Sequence, residues 1–126
     1  MRVVGREHEV VVTEVLDVLL DELLVANVLA GSASSVMVKR SLLAKCGGFS
    51  PALLKCEDWE LWIRLASIAE ISAVRERNVF IERRPGSWGA SPEDTLVWSL
   101  KVIETAFAGV GHRRAHLRPI AEANAF

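Results

Sequence analysis

The run Gly47-Gly48-Phe49-Ser50-Pro51, a short spacer, and then Glu57-Asp58-Trp59-Glu60-Leu61-Trp62-Ile63-Arg64-Leu65-Ala66 constrains this chain more than any other stretch. Glycine stops a helix because it enters the left-handed backbone region without a Cβ clash. Pro51 supports reading Phe49 to Cys56 as a loop. The run that begins at Glu57 then places two adjacent carboxylates at the entrance of an aromatic-rich amphipathic helix, where the helix dipole favours negative charge. Such acids either decorate a helix end or form the floor of a substrate cleft.

The chain has 126 residues, enough for one domain with a real core. Hydrophobic residues make up 51% and charged residues 25%, a globular balance. The net charge of −1 removes the electrostatic case for nucleic acid, which needs a basic face. The same near-neutral charge, and the Gly-Gly break within the segment, argue against a helix-turn-helix over Ser41 to Leu54. Apolar runs fall well short of the ~20 residues that span a bilayer. Glu7, His8 and Glu9 interrupt the order of regions in a signal peptide, so the reading is cytoplasmic. Cys46 and Cys56 match neither metal-ligand nor disulfide spacing and read as small, partly buried residues.

Hydrophobic periodicity predicts the elements. Val10-Val11-Val12 suits a short strand. Thr13 is a helix cap, and Val15, Leu16, Leu19, Leu20, Leu23 and Leu24 follow at helical spacing to about Asn27. Gly31 to Ser35 is a loop of small residues, and Val36-Met37-Val38 a short buried strand. Lys39 to Lys45 is a short helix stopped by the glycine pair. Glu57 to about Ala69 is the second long helix, with a buried stripe of Leu61, Trp62, Leu65 and Ile68 or Ala69. Ile71 to Val74 and Val79 to Ile81 read as strands. Arg83 to Gly89 is a glycine-rich loop. Ser91 caps a last helix that opens on Pro92 and ends near Ala108. His112 to Phe126 reads as a flexible C-terminal tail after a partial domain over residues 1–111.

The order of small-residue loop, strand, basic pair, short helix, Gly-Gly-Phe, Glu-Asp-Trp-Glu-Leu-Trp-Ile-Arg-Leu-Ala, two strands and Pro-Gly-Ser, from about Leu24 to Ser91, resembles the C-terminal half of bacterial family 2 glycosyltransferases. The resemblance implies an α/β (α+β-like) fragment of the GT-A fold, about three main helices with a few short strands. It implies the acceptor-side portion of an inverting enzyme that moves a sugar from a nucleotide-sugar donor to an acceptor hydroxyl.

On this resemblance the family's acidic pair falls on Glu57 and Asp58. Asp58 would be the general base that takes the hydroxyl proton as the oxygen attacks the anomeric carbon. Adjacent helix residues point ~100° apart, so Glu57 would orient the acceptor or cap the helix instead. Ser34 and Ser35 would approach the donor sugar. Trp59 is a candidate for the cleft or the core, Trp62 and Trp98 for core, and Arg64 for a solvated or salt-bridged position. Trp88 would belong to a lid. Arg84 stands where many relatives carry histidine. It could meet a diphosphate but not a metal.

The departures bear on function. The chain has no Asp-any-Asp, no strand–loop–helix series before Thr13, and no glutamine–arginine–tryptophan motif. His8, His112 and His116 form no ligand set. No cofactor is therefore expected in this chain, although a complete enzyme of the family would take Mg2+ or Mn2+. Read so, the chain is a truncated product, a fragment or one piece of a split enzyme, inactive by itself. The alternative is a non-catalytic protein-association domain on the same scaffold, with a second copy as one candidate partner.

Overall fold

The computed structural model describes residues 11–12, 16–29, 32–73, 79–80, 82 and 91–126. Helix α3, Glu57–Ala66, is its centre, with seven of its ten residues buried. A helix buried on so much of its circumference needs neighbours on several sides rather than one. Helices α1 (Leu16–Val25), α2 (Arg40–Cys46) and α4 (Pro92–Gly109) supply them. Helix α5, Arg118–Ala125, packs on α1 and α4. The most deeply buried side chains are Leu23 and Leu24 of α1, Leu61 of α3, and Val102 and Ile103 of α4. Ala121 brings α5 onto this core at zero exposure.

The α/β expectation is overturned. The described residues are dominated by five α-helices and two 3-10 turns, Ser32–Ser35 and His112–Leu117. Extended pairing among them is confined to one antiparallel ladder of two residues a side, β1 (Val11–Val12) with β2 (Ser72–Ala73). This is not a fragment of a GT-A fold. The error lies in the short apolar runs. Three or four apolar residues do not distinguish a strand from a coil that packs against helices. Residues 36–39 are such a coil, with Val36 and Val38 packed on the core and Met37 exposed. Val79 and Phe80 are exposed and unpaired in any strand.

The C-terminal stretch also differs from expectation. Residues 112–125 form a 3-10 turn running directly into α5. Arg114 Nε reaches Asp21 Oδ1 at 2.6 Å, and Asn124 Nδ2 donates to the Val25 carbonyl at 3.0 Å, so this stretch is fastened to α1.

Helix boundaries follow local chemistry. Ser91 Oγ accepts from the Asp94 N–H, and Pro92 occupies the first turn of α4, where its missing N–H costs nothing. Helix α2 ends in a Schellman arrangement, with Gly48 N–H on the Leu43 carbonyl and Gly47 N–H on the Ala44 carbonyl. Both glycines hold positive φ, 79° and 72°. Two consecutive left-handed residues explain why both positions are glycine.

The last carbonyls of α1 lack intrahelical partners, and α3 helps to supply one. Trp59 is 5% exposed, and its indole N–H donates to the Leu23 carbonyl at 2.7 Å. Trp98 of α4 is only half-buried and carries the Lys101 ammonium 4.2 Å from its ring centroid. We predict that Trp59→Phe, which keeps the ring but orphans the Leu23 carbonyl, lowers stability by about 1–3 kcal/mol. The urea midpoint of unfolding measures the loss.

Candidate functional site

The acid-rich start of α3 divides into two chemically different parts. Glu60 is 6% exposed and faces Arg64 one turn later. Arg64 donates from Nε to Oε1 at 2.6 Å and from Nη2 to Oε2 at 2.7 Å, a bidentate pair. The same guanidinium donates from Nη1 to the Cys46 carbonyl at 2.6 Å and from Nη2 to the Gly48 carbonyl at 2.8 Å. Arg64 therefore ties the turn that ends α2 to the side of α3. The hydrogen bond to Glu60 is the main cause that raises its already high pKa, so it stays cationic throughout the accessible pH range. Much of the Glu-Asp-Trp-Glu-Leu-Trp-Ile-Arg pattern thus has a structural reason. Trp59, Glu60, Leu61, Trp62, Ile63 and Arg64 all serve packing or this clamp.

Glu57 and Asp58 are the other part. Both are half-buried. Asp58 Oδ1 accepts from the Trp59 backbone N–H at 2.7 Å. Its second oxygen, and the carboxylate of Glu57, take no partner among the described residues. Two contacts fix the chain just before them. Lys55 Nζ pairs with Asp94 Oδ2 at 3.2 Å, and Cys56 Sγ lies 3.8 Å from Ser99 Oγ on α4. Cys56 itself holds φ 58°, a left-handed conformation uncommon for a side-chain-bearing residue. The entrance of α3 is therefore set against α4 by the side chains of Lys55 and Cys56.

The other residues named from sequence are dispersed. Ser34 and Ser35 are exposed in the 3-10 turn between α1 and α2. Trp59 is the buried tie to α1. Arg84 and Trp88 lie outside the described residues. Trp62 is core, as expected, and its indole nitrogen has no hydrogen-bond partner among the described residues. Arg64 takes the salt-bridged of its two expected positions, and Glu60 is the partner that sequence reasoning did not name. The i,i+4 spacing of the pair was visible, but the carbonyl targets of Arg64 were not.

A cavity of about 440 Å3 opens on another side of α3, among Leu20, Ile63, Arg64, Ala106 and Arg114. Neither Glu57 nor Asp58 lines it. Among the described residues no group of three or more His, Cys, Asp and Glu side chains could hold a metal ion, and no helix is long and apolar enough to cross a membrane.

Two predictions follow from this geometry. Arg64→Met leaves the Glu60 carboxylate buried without its cation and two turn carbonyls without a donor, and it should cost about 3–5 kcal/mol in denaturant unfolding. The second concerns Cys56. Burial, aided by the charges of Asp58 and Glu57, raises its thiol pKa against the lowering effect of the Ser99 hydroxyl and Lys55. A raised folded pKa gives stability that is fully present below the unfolded thiol value, ordinarily about 8.5, and lost as pH rises through the folded value. The urea midpoint should therefore fall across that alkaline window, and Cys56→Ser should flatten the slope. The chain has no tyrosine to confuse the measurement. Comparison with protein-family models, with curated proteins and with solved structures returned no match.

Proposed function

We propose that this chain is the acceptor-activating portion of an inverting sugar transferase, with Asp58 as the general base. The observation that carries the reading is the division of labour at the start of α3. Glu60 is consumed by Arg64, whereas Asp58 keeps one carboxylate oxygen unspent at a half-buried helix entrance. In the reaction, that oxygen accepts the proton of an acceptor hydroxyl. The hydroxyl oxygen bonds to the anomeric carbon as the bond from that carbon to the nucleotide diphosphate breaks, with inversion. A positioned carboxylate is required because a neutral hydroxyl is a poor nucleophile. Glu57 stands beside it to orient the acceptor.

The cavity of about 440 Å3 is lined by neither Glu57 nor Asp58; in this reading a nucleotide-binding part packs against the α3 entrance and completes the acceptor hollow. The chain by itself is accordingly inactive. A second reading, a protein-association domain that pairs with a further copy, is favoured by large apolar side chains left in water. Met37 is 57% exposed, Phe49 48% and Leu54 68%.

Calorimetry with a nucleotide sugar and Mg2+ or Mn2+ should give no binding heat for the isolated chain. Joined to a donor-binding part, the chain should support transfer, and Asp58→Asn should cut turnover by roughly 10²–10⁴-fold with donor affinity nearly intact. Unchanged turnover removes Asp58 from the role. A chain that sediments as a dimer and supports no transfer with any donor-binding part favours the association reading.

A further inference from the structure

The formal net charge of −1 conceals an uneven distribution. Between Glu22 and Glu57 the sequence contains no Asp or Glu, and its charged residues are Lys39, Arg40, Lys45 and Lys55. The rest of the chain is correspondingly acidic. Lys55 is spent on Asp94. The other three stand on α2 and its N-cap, exposed, and their side chains meet no partner among the described residues. On α2 the residues Leu42, Leu43 and Cys46 pack toward the core, which leaves Arg40, Ser41, Ala44 and Lys45 as its outer face. A large apolar side chain stands at each end of that face. Met37, shortly before the helix, is 57% exposed, and Phe49, just after the glycine turn, is 48% exposed. The face is also held in place, because Arg64 bonds the Cys46 and Gly48 carbonyls at the end of α2.

We propose that the outer face of α2 docks on an anionic lipid surface. Lys39, Arg40 and Lys45 lie among the headgroups, and Met37 and Phe49 enter the boundary with the acyl chains. Charge selects this occupant over the others. Two copies meeting symmetrically through this face would bring like charges together, which is unfavourable. Nucleic acid is held through many phosphate contacts, and three basic residues on one short helix do not supply them. A helix of seven residues is only about 10 Å long, whereas a stable protein interface needs roughly 800 Å2 a side. A bilayer is a continuous anionic sheet, so a small basic patch with apolar side chains at its edge suffices for reversible binding. The acidic remainder of the chain is repelled by the same surface, so the molecule docks in one orientation.

The test is flotation of the full chain with excess vesicles of phosphatidylcholine and phosphatidylserine in a two-to-one ratio, against vesicles of phosphatidylcholine alone. The chain should float with the anionic vesicles at low salt and be released at high salt, which screens exposed charges. It should not float with the neutral ones. Lys45→Gln should weaken binding roughly fivefold, the equivalent of about 1 kcal/mol for one basic residue at such a surface. Lys39→Gln, Arg40→Gln and Lys45→Gln together should weaken it about 100-fold. Met37→Ser should weaken it about threefold through lost apolar contact. All four positions are exposed, so the variants should keep the far-UV circular dichroism of the wild-type chain. Arg113→Gln removes one exposed charge from the C-terminal turn and should leave binding unchanged. The proposal is overturned if the chain fails to float with anionic vesicles at low salt, if it floats equally with neutral ones, or if the folded triple variant binds like the wild type. A loss at Arg113→Gln as large as at Lys45→Gln overturns it too. So does a dimer in sedimentation that the triple substitution dissolves, which would put a second copy on this face. None of these results depends on Asp58 or on sugar transfer.

Discussion

The guanidinium of Arg64 is the contact on which the rest of the structure depends. Helix α2 is a short element whose own side chains are never fully buried, so its packing cannot hold it in place unaided. Its end is instead held by hydrogen bonds. Gly47 and Gly48 turn the backbone back on itself, and their bonds account for the Leu43 and Ala44 carbonyls. The Cys46 and Gly48 carbonyls are left pointing at α3. Placing them against a helix without a donor would carry the cost of unsatisfied polar groups. Arginine is suited to this because one planar group presents several donors in fixed directions. It meets two carbonyls and a carboxylate together. Glu60 then becomes necessary in turn, since it balances the charge that Arg64 brings to the side of the core.

This clamp changes what the acid-rich run means. A sequence rich in carboxylates at a helix start invites one explanation for all of them. The structure requires at least two. Glu60 faces inward and is consumed. Glu57 and Asp58 precede it, flank the loop fastened to α4 by Lys55 and Cys56, and retain acceptor capacity. The buried indoles divide similarly. Trp59 spends its N–H on the carbonyl end of α1, whereas the Trp62 nitrogen finds no acceptor among the described residues.

What was legible in the sequence follows from which signals are local. The glycine pair, the Ser91-Pro92 start and the long periodic runs are decided within a few residues, and α2, α3 and α4 lie within a few residues of where they were expected. The strands were not legible, because runs such as Val36-Met37-Val38 carry too few residues to reveal a period. The C-terminal helix was missed for a different reason. Its inward positions are Ala121 and Ala125, and small residues leave little hydrophobic signal although Ala121 is fully enclosed. At the site, the carboxylates of Glu57 and Asp58 were readable as a pair at a helix entrance. The burial of Trp59 was not, because it depends on a carbonyl of α1 far away in sequence.

The division between Glu60 and Asp58 is the centre of the account, and a side-by-side comparison of Glu60→Gln and Asp58→Asn in equilibrium urea unfolding tests it most directly. Both substitutions replace a carboxylate with a near-isosteric amide in the first turn of the same helix. The account predicts a loss of about 3 kcal/mol for Glu60→Gln, because the Arg64 charge loses its partner. It predicts less than about 1 kcal/mol for Asp58→Asn, which gives up only a favourable interaction with the helix dipole. Equal losses, or a larger loss at Asp58, would contradict it.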